Sequence, residues 1–346
     1  MLLRWAGRLG LLLLLVAVSL LSPVAYVEVA CRGTPVAATY EPLLPPEHRR
    51  AAARTVMTYP EWHIVYAYED YAEVIRAGDP DDYAFLPEIG RFWRSACAAS
   101  RASAALGGAD WTARRTIHVI GVSFTAEMLL KAMYEETLGR VATWVRGEAR
   151  APLDDLSAEQ AAAYAAFLHQ VPWYRWDFAG DAAGLREAAT EAFRDRERAW
   201  ALGVEYGAKA RYARAIGAAV AATGQDELTM RSIVAGLPPE ELSRIKGVAV
   251  VGTRPEGVEV ETPRYEAFTA VARAVAVTGG SFVEIAGNDR IMVTTITPDD
   301  EPVAGEILRL ARQGEGGWRH LVLLPVGELS TALARSRLAV EHVHDY

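Results

Sequence analysis

Lysine and cysteine are scarce in this chain, and the familiar catalytic signatures are missing. Among 346 residues the lysines are Lys131, Lys209 and Lys246, so arginine carries almost all the basic charge. The net charge is −8 and no Lys/Arg block interrupts it. That excludes general nucleic-acid binding, which needs a basic footprint to neutralise phosphates. The two cysteines, Cys31 and Cys97, sit in no C-x-x-C or C-x-x-C-H spacing, which removes thioredoxin-like, zinc-ribbon and c-type haem chemistry. A disulfide between them is allowed outside the cytoplasm, but the sequence does not place their Cα atoms. There is no HExxH and no GxGxxG after a strand. "GTRPEGVE" lacks the Lys-Ser/Thr of a phosphate loop, and "GVSFT" has Thr125 where a nucleophile elbow needs glycine. His342 and His344 fall on one side of a strand, and even with Asp345 they make a poor cage for zinc. No metal or cofactor is expected.

What is present is an ordinary folding composition, 51% hydrophobic and 23% charged, with length enough for two cores. The N-terminus is the most informative segment. Arg4 and Arg8 precede a run without charge from Leu9 to Val27. At about 1.5 Å per residue it matches a hydrocarbon core of about 30 Å. A cleaved signal is the first alternative, but Glu28 or Pro23 would occupy the −3 position, where a small residue is wanted. A lipoprotein signal is the second: Val29-Ala30-Cys31 faintly resembles a lipobox, with Glu28 where an aliphatic residue belongs. The uncleaved anchor is the favoured expectation, with lipid bilayer as its partner. The basic residues before the span keep the N-terminus cytoplasmic and put the body outside.

Residues 32–54 are rich in proline and alanine and read as a stalk. From 55 to 223 the pattern is helical. A first helix runs to Gly78, a second ends at Gly107-Gly108, and a third spans Asp110 to Arg146 with a bend expected at Gly121. Ser157 and Gln160 have capping-box spacing for a fourth, and 181–222 supplies one or two more. Past Thr223-Gly224 the hydrophobic period shortens to two. "GVAVVGTRPEGVEVETP" predicts a hairpin turning at Arg254 to Gly257, and "SFVEIAGNDRIMVTTITP" predicts a second turning at Gly287-Asn288-Asp289. Both close on Thr-Pro, at Pro263 and Pro298, which suggests a duplicated hairpin–helix unit. The expected fold class is therefore α+β. It comprises an anchor (1–31), a stalk (32–54), a bundle-like helical domain (55–223), and a mainly antiparallel sheet with helices on one face (224–346).

Three segments carry candidate chemistry. "TYPEWHIVYAYEDY" packs an acid, an imidazole and five aromatic rings into residues 58–71. Thr58, Pro60 and Glu61 have the spacing of a capped helix start. Ile64, Val65, Tyr68, Ala72 and Ile75 form a core stripe whose backward extension meets Glu61. His63 and Asp70 lie on the flank as binding candidates. "SFTAEMLLKAMYEETLGR" places Glu127, Lys131 and Glu135 on an i, i+4, i+8 ladder. Its bland reading is a solvated face worth about 0.2–0.5 kcal/mol per pair; its sharper reading is the polar seam of a cleft. "VPWYRWDF" offers Trp173, Tyr174, Arg175 and Trp176 as a helix-connecting plug or a recognition surface. The favoured expectation is a single-pass envelope protein with a binding or assembly role toward a lipid or another envelope protein. A hydrolase or transferase using Glu61 with Glu127 or Lys131 is the alternative.

Overall fold

The computed structural model describes residues 2–37, 39–223, 228–334 and 339–346, and helices and antiparallel strands are segregated along it. The helices come first: α1 (Leu2–Ala30), α2 (Arg54–Met57), α3 (Tyr59–Ala77), α4 (Phe85–Ala104), α5 (Trp111–Tyr134), α6 (Arg140–Arg146), α7 (Pro152–Leu168), α8 (Phe178–Ala188) and α9 (Phe193–Thr223). The described part of the chain is thus α+β. By length and composition, the helical run Trp111–Arg146 is the one described stretch apolar enough to cross a membrane, yet 39% of its apolar window is buried, as in a core helix. The described apolar part of α1, Leu14–Ala30, is shorter. Of the two residues expected to bound the span, Leu9 has a side chain outside the described ones, and Val27 is buried against the body.

α3 is the hub. Its buried residues include Trp62, His63, Val65, Tyr66, Tyr68, Asp70, Tyr71 and Ile75, which occupy more than one face. The sequence stripe therefore identified only one of its contacts: α4, α5 and α7 pack around it, and the strands close the remainder. The Thr58–Glu61 capping box does not form. The chain is already helical at Thr58, whose N–H donates to the Arg54 carbonyl, while its hydroxyl donates to Thr55 O (2.9 Å). Glu61 lies exposed rather than at the core edge. The Ser157–Gln160 box is displaced too. That helix starts at Pro152, and the Asp154 carboxylate accepts from Ala151 N (3.0 Å), leaving Ser157 inside the helix.

α5 runs uninterrupted through Gly121, where a bend is expected from the sequence. A Cβ there would sit 2.4 Å from Phe92, so the glycine permits close approach of α4 to α5. The helix is instead interrupted by one π-helical turn, Glu135–Gly139, a feature frequent at functional sites.

The strands form two four-stranded sheets, rather than the single sheet expected. β1 (Thr229–Ala235), α10 (Pro239–Leu242), β2 (Ala249–Arg254), β3 (Gly257–Pro263), α11 (Glu266–Thr278) and β4 (Ser281–Ile285) give the first, ordered β2-β3-β1-β4. β5 (Arg290–Thr297), β6 (Glu306–Ala311), β7 (Trp318–Pro325), α12 (Leu329–Ala334) and β8 (Ala339–His344) give the second, ordered β6-β7-β5-β8. The expected second hairpin does not exist, because β4 pairs with β1 while β5 pairs with β7 and β8. A repeat is nevertheless visible, in a different phase. Both halves run three strands, a helix and a fourth strand, with the same neighbours and all pairs antiparallel. Even the bulge recurs, after Ile233 in β1 and after Thr294 in β5, the fifth residue of each central strand. The matched Thr-Pro pairs fall at the ends of β3 and β5, which are not equivalent, so they misled the phase.

β5 is buried on both faces. Met292 joins the helical core, whereas Ile291 and Val293 join the core shared by both sheets, α11 and α12. Within residues 32–54, expected as a stalk, the segment 40–50 runs as a strap along the strands. The buried Glu284 carboxylate accepts from Tyr40 Oη (2.6 Å), Leu43 N (2.6 Å) and Leu44 N (2.8 Å). Arg50 O accepts from Asn288 Nδ2 (3.0 Å), and the Thr55 hydroxyl donates to His344 O (2.5 Å). Gly287, at φ +81°, lets the strap pass, since a Cβ there would lie 2.8 Å from Arg49.

The base of α1 is clamped as well. Cys31 is disulfide-bonded to Cys97 of α4, with Cα atoms 5.1 Å apart. Glu28 meets His118 of α5 at 2.8 Å. Hydrogen bonds to a charged group contribute about 1.5–3 kcal/mol each, so Glu284→Ala should release the strap. Limited proteolysis should then cut between residues 39 and 50 where the parent protein resists; equal resistance would mean that the strap is held by other contacts.

Candidate functional site

α5 and α9 face one another and are bridged by half-buried ion pairs. Between them is a groove of about 880 Å³, walled also by α3, α7 and the junction with the strands. Ile64, Val65, Ile120, Leu168, Val204 and Ile216 make its walls apolar. Its lips, Val119, Leu130, Trp200 and Val204, are exposed to solvent. Size and lining are those of a small-molecule site.

The polar floor is an alternating chain of charges. Glu127 accepts from Tyr68 Oη (2.6 Å) and pairs with Lys209 (2.6 Å); Lys209 pairs with Glu205 (2.9 Å); Glu205 pairs with Lys131 (3.0 Å). Lys209 Nζ also lies 5.3–5.7 Å from the ring centroids of Tyr68, Tyr164 and Phe178, an aromatic box that favours a cation. Burial opposes ionisation of both lysines, but Glu205 holds Lys131 up, and Glu127 with Glu205 holds Lys209 well above its ordinary value. Burial likewise opposes the Glu205 charge, and the two ammoniums bring that carboxyl down to about 2. Beside this chain the π turn brings Glu135 inward onto Arg198 (2.8 Å), a buried pair.

The structure therefore brings Glu61, Glu127 and Lys131 onto one groove, with Glu61 on the α3 wall. Sequence reasoning put Glu127 and Lys131 on one polar stripe and did not name Lys209 and Glu205 as their partners. Their i, i+4 spacing on α9 was the available signal. Trp173 and Tyr174 line the far end of the groove, where Trp173 packs on Tyr212 at 5.3 Å. Trp176 turns away, packs on Tyr164 and Phe167 and donates to Asp181 (2.6 Å), while Arg175 is exposed.

His63 and Asp70 are buried rather than flanking. His63 Nε2 lies 2.9 Å from Glu88, whose other oxygen accepts from Arg91 (2.7 Å) and from the Gln313 side chain (2.7 Å); Gln313 N donates to Asp70 (2.7 Å). Gln313 thus ties α3 and α4 to the loop after β6. Burial opposes the Glu88 charge, but His63 and Arg91 hold that carboxyl at about 2. Burial raises Asp70 to about 7, against Arg319 and the Gln313 N–H.

At the strand junction, His342 lies against Trp62 with ring centroids 3.6 Å apart, and His344 approaches the Thr58 hydroxyl at 3.3 Å. Both are neutral: burial lowers His342 well below its ordinary value and His344 to about 3. Tyr265, on the groove wall, has φ +61°, a conformation costing about 1–3 kcal/mol in a non-glycine residue. Its N–H donates to the buried Asp345 carboxylate (2.6 Å).

Comparison with family models, with characterised proteins and with solved structures gives no match.

Lys209→Met would leave two carboxylates without their shared cation. Breaking a buried pair costs about 3–5 kcal/mol, so its denaturant midpoint should fall sharply, with a smaller fall for Lys209→Arg. An unchanged midpoint would make the floor a solvated surface. The pH dependences of two other buried groups run in opposite senses. His344 is depressed, so its contribution to stability is present above about 6.5 and is lost as pH falls toward about 3. His344→Gln should flatten that loss. Asp70 is raised, so its contribution is greatest below 3.8 and is lost as pH rises through about 7. Asp70→Asn should raise Tm more at pH 8 than at pH 5; an equal gain at both would contradict the shift.

Proposed function

We propose that this chain is a single-pass, N-terminally anchored protein of the cytoplasmic membrane whose body lies outside the cytoplasm and binds an apolar small molecule in the α5–α9 groove. The groove itself carries the reading: about 880 Å³ with apolar walls, exposed apolar lips and a floor whose charges compensate one another. Support for the anchor comes from the run without charge between Leu9 and Val27 and from the exposed side chains of Leu11, Leu14, Val18 and Leu21. The Cys31–Cys97 bond fits an oxidising compartment. Arg4 and Arg8 on the other side of the run favour a cytoplasmic N-terminus.

Binding is favoured over the hydrolase or transferase alternative by the state of the lysines. A general base works best with a pKa near the operating pH, whereas Glu205 and Glu127 keep both ammoniums protonated. Glu205, held at about 2, is a correspondingly weak base.

Native mass spectrometry of the full chain in mild detergent should reveal a non-covalent adduct of small-molecule mass, removed by Ala208→Trp on the groove wall. A bare protein that also fails to enhance the fluorescence of anilinonaphthalene sulfonate would contradict a ligand groove. Orientation is tested separately: alkaline phosphatase fused after Tyr346 should be active, and an inactive but stably expressed fusion would reverse the topology.

A further inference from the structure

Resting on that groove and on α1 as a membrane span, we infer that the ligand is a membrane lipid whose acyl chain enters the groove sideways from the bilayer. The position of the groove carries the inference. α1 meets α5 at His118, through Glu28 at 2.8 Å, and the groove wall begins at the next two residues, Val119 and Ile120. One end of the groove therefore lies within a helical turn of the point where α1 joins the body. That junction is rigid, because Val27 is buried and Cys31 is bonded to Cys97.

From Val119 to Tyr134 the α5 wall extends about 23 Å at about 1.5 Å per residue. That exceeds half of a hydrocarbon core of about 30 Å, so one leaflet's acyl chain has the length to lie along it. Further exposed apolar side chains, Met133, Val141, Trp144 and Val145, lie at and beyond the other end of the α5 wall, with Trp144 81% exposed.

The chemistry of the walls narrows the occupant further. The lysines and glutamates of the floor satisfy one another, so an anionic or cationic metabolite finds no uncompensated partner there. An acyl chain requires none. The floor still presents ammonium donors and carboxylate oxygens to a headgroup of no net charge, such as zwitterionic phosphocholine.

The test is photo-crosslinking of the full chain in vesicles of phosphatidylcholine carrying a diazirine on one acyl chain, with adducts mapped by mass spectrometry. Adducts are expected in residues 119–130 and 200–212 as well as in α1. Ala208→Trp and, on the opposite wall, Ser123→Phe should cut the groove adducts at least about tenfold, the factor that corresponds to about 1.4 kcal/mol. The α1 adducts and the Cys31–Cys97 bond should remain, which reports that each variant is folded. Adducts confined to α1, or groove adducts that both variants leave intact, would overturn the inference. If anilinonaphthalene sulfonate still binds and Ala208→Trp abolishes it, the lipid inference fails while the groove reading stands. If neither lipid nor probe occupies the groove, both fail.

Discussion

The charge chain between α5 and α9 is the contact on which the rest of the helical domain depends. Two ammoniums and two carboxylates lie in a setting where any one of them alone would be expensive. They are stable together because each lysine pairs with a glutamate and Lys209 also faces three aromatic rings. Placing them on opposing helices fixes the spacing of α5 and α9. The π turn extends the same device by one pair, Glu135 with Arg198. The groove lies between the two helices, with this charge chain as its floor. A second seam, through His63, Glu88, Gln313 and Asp70, holds the hub helix against the strands.

Rigidity at the base of α1 gives the groove a direction. A free stalk would let the body tumble above a membrane. Here residues 40–55 are bonded along the strands through Glu284, Asn288 and Thr55, and the disulfide fixes the end of α1 to α4. The orientation of the groove relative to α1 is therefore a property of the fold. The second sheet of the doubled strand–helix unit supplies the histidines that close against Trp62.

What the sequence made legible follows what is local. Helix extents, the β2–β3 hairpin and the apolar run at the N-terminus depend on neighbours in the chain, and composition and period report them. The partners of Glu127 and Lys131 lie on α9, about 75 residues away, and no local pattern announces them. Thr58 and Glu61 matched a capping box because spacing alone cannot tell that the chain is already helical upstream. The second hairpin failed for a similar reason: Gly287-Asn288-Asp289 is a genuine turn, but the strand after it leaves for another sheet. Asp70 and His63 read as flank because α3 was taken to have one buried face, and it has several.

The most direct measurement is an experimental structure of the full chain crystallised from a lipidic mesophase prepared with phosphatidylcholine. The account predicts continuous tubular density along the groove from Val119 toward Ala208, with the Lys131–Glu205–Lys209–Glu127 chain intact beneath it. A groove collapsed by contact between α5 and α9, or filled with ordered water alone, would contradict it.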